Sequence, residues 1–250
     1  MELDKIVLFD IAITNVNKLE VLELITSIIE LSQQKPIYFV NANNLKYAYY
    51  DSHYKNILKA TEYIFGDGVG VSLAARLSKR RFVDNVNGTD LFPLLCEYCA
   101  LKKYSLYFLG GQPGLVEKMI QSLKRRHPLL IISGAHHGYF DRKNENEDII
   151  RAINNSKTNI LLVGFGTPFQ EEWIYDNLSS INCNVALGVG GLFDFYSGSK
   201  VRAPLWLRKL GLEWFFRLLQ EPCRLWKRYV FGIPEFILLM LKDKFQELRK

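Results

Sequence analysis

Residues 158–174 read TNILLVGFGTPFQEEWI, and the run from Ile160 to Val163 is apolar at every position. A strand with one wet face alternates apolar and polar side chains. An unbroken apolar run of strand length, closed by Gly164, Gly166 and Pro168, instead fits a strand covered on both faces, as in a parallel sheet. The polar-apolar mixture that follows, FQEEWIYDNLSS, predicts a helix.

The same unit recurs outward in both directions. YSLYFLGG (104–111) predicts a strand and turn, followed by a helix in QPGLVEKMIQSLKRRHP with Pro113 near its start. LLIISGAHHGYF and NVALGVGGLFDFYSG predict further strands with long exits. Upstream, KIVLFDIAITNV predicts a short strand pair, KLEVLELITSIIELSQQ a helix stopped by Pro36, and IYFVNAN and EYIFGDG strands ending in polar turns. NVNGTDLFPLLCEYCALKK predicts a helix with Thr89 as N-cap. Strands alternating with helices predict an α/β fold with a Rossmann-like parallel sheet. Ligands in such sheets bind outside the carboxyl ends of the strands. That edge collects Asn41, Asn43 and Asn44, Asp67, Gly110 and Gly111, His136 and His137, Thr167, Gln170 and Glu171, and Asp194.

The 250 residues suit one such core with an appendage. The net charge is +6, and residues 200–250 hold twelve Lys/Arg, Arg249 and Lys250 among them, against five Asp/Glu. The excess therefore lies in the tail and the rest is near neutral. The expected division is a core over 1–199 and a basic, aromatic-rich helical appendage over 200–250, broken by Pro222 and Pro234. Arg217, Arg224 and Arg228, spaced by seven and four, are expected on roughly one face. They read either as a solvated basic surface or, interleaved with Trp214 and Trp226, as an interface for phosphates or acidic lipid. The longest apolar run, VFGIPEFILLML (230–241), is too short to span a bilayer and is expected to lie on one. Without a signal-peptide pattern at the N-terminus, a cytoplasmic protein peripheral to the membrane is expected.

Several chemistries lack their motifs. GDGVGV, GVGGLF and GFGTPF all miss the spacing of a dinucleotide fingerprint, and no phosphate loop of the G-x-x-x-x-G-K-[ST] type occurs. There is no D-x-D pair, and His136–His137 has no obvious third ligand, so no metal is expected. Cys96 and Cys99 form a lone C-x-x-C that reads as a buried helix face; with Cys183 and Cys223 it fits a reducing compartment. Asp67, between Gly66 and Gly68, reads either as a turn carboxylate bonding nearby amides or as a general base that the glycines leave accessible. The asparagines of VNANNL read as helix caps, as groups for sugar hydroxyls, or as both.

Together the strings FVNANN, GDGVGVSLAARL, NVNGTDLF, YFLGGQPG, GAHHGYF, LLVGFGTPFQEEWI, GVGGLFDFYSG and RAPLWLRKLGLEWFFRLLQEPCRLWKRY cover nearly the whole chain. In that order they resemble the WecG/TagA/CpsF glycosyltransferases. The resemblance implies an inverting enzyme that moves a sugar of N-acetylmannosamine, mannosaminuronic or glucose type. The donor it implies is a UDP-sugar, the acceptor a polyprenyl-diphosphate-linked sugar, and the setting the inner face of the cytoplasmic membrane. It implies no metal, no cofactor and no nucleic-acid partner.

Asp67 falls on the family's proposed base. The implied substrate-binding set is Asn41, Asn43, Asn44, Gly68, Asn87, Asp90, Gly110, Gly111, Gln170, Glu171 and Arg202. Arg217, Arg224, Lys227 and Arg228 are implied at the lipid diphosphate or the membrane. Asn41 stands where many members carry threonine, and Asn85 where many carry arginine. The rival expectations are a noncatalytic nucleotide-binding module tethered to membrane and, more weakly, an oxidoreductase.

Overall fold

The structure, a computed structural model, describes residues 3–247; Arg249 and Lys250 of the basic count lie outside it. The chain opens with the antiparallel pair β1 (Lys5–Leu8) and β2 (Ile11–Thr14), then α1 (Lys18–Glu30), β3 (Lys35–Val40), α2 (Ala42–Tyr50), α3 (Ser52–Ala60) and β4 (Tyr63–Gly66). There follow α4 (Val69–Leu77), α5 (Gly88–Lys102), β5 (Ser105–Gly110), α6 (Leu115–Arg126), β6 (Ile131–His136), α7 (Asn146–Asn155), β7 (Ile160–Gly164), α8 (Phe169–Asn177), β8 (Val185–Gly188) and α9 (Leu192–Tyr196). The last segments are α10 (Leu205–Lys209), α11 (Glu213–Gln220), α12 (Pro222–Val230) and α13 (Gly232–Glu247).

Among the described residues eight strands form one sheet in the order β1-β2-β4-β3-β8-β7-β5-β6, parallel except for the β1–β2 pair. The apolar run of β7 lies between β5 and β8, with Ile160 to Val163 fully buried. Both faces are covered, because each helix buries one apolar stripe. Leu45 and Ala48 of α2, Ala74 and Ala75 of α4 and Ile174 of α8 build the core on one face. Leu91 and Leu95 of α5, Met119 and Leu123 of α6 and Phe193 of α9 build it on the other. The helices after β3 and β8, neighbours in the sheet, therefore leave to opposite faces. The crevice outside their carboxyl ends is a switch point of the topology.

Two local expectations are corrected. Asn87, not Thr89, caps α5: its side chain accepts from the Asp90 amide at 2.8 Å from an extended backbone, the geometry that a capping oxygen needs. Pro113 lies near the start of α6, as expected, and Pro168 stands at the cap position of α8. The tail arginines do not share one face, since the backbone turns at Glu221 (φ −131°, ψ 59°) and separates α11 from α12. Cys96 and Cys99 are buried and free on α5, as their apolar context implies.

The last four helices fold back over the edge where β3 and β4 end. Two glycines permit the approach. A Cβ on Gly70 would lie 2.8 Å from the Ala42 Cβ and 3.6 Å from the Phe236 ring, so α4, α2 and α13 meet closely there. Gly211, at φ +73°, sits where a Cβ would come within 2.5 Å of Val69. Ion pairs add to this packing: Lys46 to Glu235 at 2.9 Å joins α2 to α13.

Candidate active site

The turn after β4 places Asp67 at the carboxyl edge of the sheet. Its amide donates to the Val40 carbonyl at 2.8 Å, which fastens the turn to the neighbouring strand β3. Gly68 follows at φ +91°, a conformation suited to glycine, and its amide donates to Asn85 Oδ1 at 2.7 Å. The Asp67 carboxyl is thus aimed outward by a turn whose backbone is held from two sides.

It lies in a cavity of about 350 Å³. One wall comes from the core: Asn41, Asn43 and Lys46 after β3, Asp67 to Gly70 and Leu73 after β4, and Asn85 and Asn87. The other comes from the tail: Arg208, Gly211, Glu213, Trp214, Arg217, Arg228, Tyr229 and the inner face of α13. Burial pushes the Asp67 carboxyl up to about 6; Glu213 adds to the rise, while Arg217, Arg228 and a hydrogen bond from Asn41 oppose it. A carboxyl poised there is ionised near neutral pH yet retains appreciable proton affinity, the balance a general base requires.

The arginines converge from two helices. Arg217 of α11 stacks on Phe195 at 5.5 Å, and Arg228 of α12 reaches the Asn41 side chain at 3.4 Å. Burial lowers the Arg228 pKa, and Arg217 and Arg224 lower it further. Arg224 lies outside the cavity lining and pairs with Glu221 at 2.6 Å; Lys227 packs over Trp226. The spacing of seven and four therefore brings together only two of the three arginines.

Asp90 and Arg202 are engaged with each other. Arg202 reaches Asp90 at 2.7 Å and Glu213 at 3.2 Å, and Arg208 reaches Asp90 at 3.0 Å. Burial raises the Asp90 pKa, but the hydrogen bonds from Arg202 and Asn87 outweigh it and hold the carboxyl below its usual range. This clasp ties the N-terminus of α5 to α10 and α11, and Asn87 carries it to the cavity wall.

Other expected substrate contacts are occupied within the protein. Asn41 caps α2 and forms a capping box with Asn44. Asn44 is buried and donates to the Tyr54 hydroxyl at 2.9 Å and to Thr167 Oγ1 at 2.8 Å. Gln170 and Glu171 are also buried: Gln170 accepts from the amides of Gly166 and Gly190 at 3.2 and 2.8 Å and donates to Glu171 at 2.9 Å. Burial pushes Glu171 up to about 7. Asn44, Gln170 and Glu171 hold the loops after β3, β7 and β8 together and are buried beneath the switch point, whereas Asn41 also lines the cavity.

The amides of two glycines at these strand ends are likewise taken, since Gly111 donates to the Gly164 carbonyl and Gly166 to Gln170. A Cβ on Gly110 would lie 2.6 Å from the Gly164 carbonyl oxygen, so this glycine serves close packing of two strand ends. Among the described residues no His, Cys, Asp or Glu cluster has the arrangement of a metal site, and His136 and His137 stack on each other at 4.3 Å. The sequence reading missed Glu213, Arg208 and Lys46, whose place in the cavity follows only from how the tail folds back.

Comparison with known proteins fits this architecture. The model of the glycosyl transferase WecG/TagA/CpsF family matches residues 6–250. A Bacillus subtilis (strain 168) protein named N-acetylglucosaminyldiphosphoundecaprenol N-acetyl-beta-D-mannosaminyltransferase is 32% identical over 194 residues, 78% of this chain and 74% of the relative. Proteins of the same name from Staphylococcus aureus strains MW2 and NCTC 8325 are each 29% identical over 244 residues, 96% of this chain and 93% of theirs. With nearly every residue from the first strand onward matched, the chain belongs to the WecG/TagA/CpsF family of glycosyl transferases.

Proposed function

We propose that the protein transfers a sugar from a UDP-sugar to a sugar carried on a polyprenyl diphosphate, with inversion at the anomeric carbon and Asp67 as the base. The observation that carries this reading is the shared cavity, which holds one carboxyl with raised proton affinity under two convergent arginines. The names of the relatives support the acceptor class, an N-acetylglucosaminyl diphosphoundecaprenol, and suggest N-acetylmannosamine as the transferred sugar.

In this reading Asp67 takes the proton of the acceptor hydroxyl as its oxygen attacks the anomeric carbon. The bond from that carbon to the β-phosphate oxygen breaks on the opposite side, and UDP leaves as an anion. The nucleotide lies in the crevice outside β3 and β8. Arg217, Arg228, Lys46 and Arg208 supply the positive charge for the two diphosphates. From the cavity wall the Asn43 side chain and the Asn85 Nδ2 group meet sugar hydroxyls, while Asn87 holds Asp90.

The residues from 200 onward act as an appendage that completes the site at the membrane. Exposed Trp206, Phe215, Trp226 and Phe231, set among Lys and Arg, suit an interfacial layer with anionic headgroups. No helix among the described residues is long and apolar enough to cross a membrane. This peripheral contact is assigned to the inner leaflet, where nucleotide donors are available.

The test is a donor panel. Each UDP-sugar is incubated with N-acetylglucosamine linked to a short prenyl diphosphate, and the product mass is measured. Addition of one N-acetylhexosamine is the expected result. Nucleotide binding with no sugar added from any donor would overturn the reading in favour of a noncatalytic module.

A further inference from the structure

The polar contacts described above use only part of the cavity. Much of the apolar lining comes from two helices, α4, which begins beside Asp67, and α13, which begins beside Lys46. Val69 and Leu73 of α4 face Ile233, Phe236, Ile237 and Met240 of α13. Phe236 and Met240 are buried in the packing of α13 against the core. Val69, Leu73 and Ile237 are instead 56%, 42% and 40% exposed.

Both stripes continue away from the cavity at helical spacing. On α4 the series is Val69, Leu73 and Leu77; on α13 it is Ile233, Ile237 and Leu241, each step four residues and therefore one face. Leu77 and Leu241 are also exposed. Eight residues of helix advance about 12 Å. Among the described residues an apolar strip of that length starts beside the arginines, runs outward and stays partly exposed at Leu73, Leu77, Ile237 and Leu241. Isolated exposed leucines are ordinary, but two aligned rows that open from a charged cavity are not scattered surface.

We propose that the groove between α4 and α13 binds the first isoprene units of the acceptor's own lipid chain. The charge layout commits the occupant. Arg217, Arg228 and Lys46 lie at the inner end, where a diphosphate would be held, and the apolar rows begin next to them. A ligand matching both ends carries its hydrocarbon directly on its diphosphate, as a polyprenyl diphosphate does. A bilayer acyl chain has no such anchor in the cavity. The groove would draw the head of the carrier lipid partly out of the membrane and fix the sugar's distance from Asp67. This inference rests on the acceptor class proposed above.

The test uses purified full-length protein without membranes. Acceptors share one diphosphate-linked sugar and differ in the tail: methyl, one, two or three isoprene units, all below their micelle-forming concentrations. The expected result is a rise in kcat/KM of at least 10-fold from methyl to two units. Leu77→Gln and Leu241→Gln, at exposed positions on separate helices beyond the cavity lining, should each shrink the ratio between the three-unit and methyl acceptors at least 5-fold. Circular dichroism and the rate with the methyl acceptor control for folding. If kcat/KM is independent of the tail, or if both variants keep the wild-type ratio, the inference fails and the stripes contact bilayer acyl chains. Absence of transfer to every acceptor would instead sink the functional reading itself, so the two failures are distinct.

Discussion

Asn85 Oδ1 accepts the Gly68 amide hydrogen at 2.7 Å, which fastens the loop after α4 to the turn that presents Asp67. Residue 85 thus acts on the proposed base through the backbone, besides lining the cavity. Asn85→Ala frees that amide and lets the turn relax. A fall in kcat of about 10-fold is expected, because small misplacements of a reacting group are costly. Stability should drop by only about 1 kcal/mol, the net value of one hydrogen bond. Steady-state kinetics and urea titration check the two halves.

Asp67→Asn removes the proton acceptor and should lower transfer by about 10²–10⁴-fold. Its effect on stability has the opposite sign. The folded protein raises this carboxyl to about 6 from its ordinary 3.8, so the fold binds the proton more tightly than the unfolded chain does. The contribution is fully present below about pH 4 and is lost as pH rises through 6. The Asn variant escapes that loss and should be more stable than wild type at pH 8, by no more than about 3 kcal/mol at roughly 1.4 kcal/mol per pH unit. Equal stability at pH 8 would contradict a carboxylate whose burial outweighs its partners Arg217, Arg228 and Asn41.

The same environment predicts how activity depends on pH. kcat/KM should climb with pH through a limb near 6, where Asp67 loses its proton. Glu213→Gln removes a negative neighbour and should move the limb to lower pH; Arg217→Ala removes a positive one and should move it higher. Rate profiles between pH 4.5 and 8.5 distinguish these shifts from a simple loss of activity.

Arg202 is the hinge pin of the clasp, since it holds Asp90 and Glu213 at once. Arg202→Ala leaves Glu213 without this partner, while Asp90 keeps Arg208. The expected cost is about 1–3 kcal/mol, as for hydrogen bonds to charged groups. Double-mutant cycles with Glu213→Gln should show coupling, and Arg202→Lys should restore only part of it because the forked geometry is lost.

Much of this architecture was legible in the chain itself. Unbroken apolar runs such as Ile160–Val163 announce strands covered on both sides, and the helices between them announce parallel connections. Strand order is less visible, because it depends on which helix packs on which face. The site divides in the same way. Asp67 stands out locally, as a carboxylate between glycines at a strand end. Whether Asn44 faces solvent depends on Thr167, 123 residues away, and whether Gln170 and Glu171 do depends on how the loops after β7 and β8 pack together. The convergence of Arg217 with Arg228, without Arg224, depends on the backbone turn at Glu221, which Pro222 hints at without fixing its angle.

The seam through the cavity bears on how this protein ages and inactivates. About half of the lining comes from turns and helices packed on a sheet with two buried faces, and half from the last helices and their connections, whose outer faces are exposed. Segments of the second kind open at lower free energy than central strands. Warming should therefore silence the enzyme before the sheet melts, and a sample that still gives a native far-ultraviolet spectrum can already be inert. Its working lifetime in storage will be set by the grip of α10–α13 on α2 and α4, and a ligand bridging the seam should lengthen it.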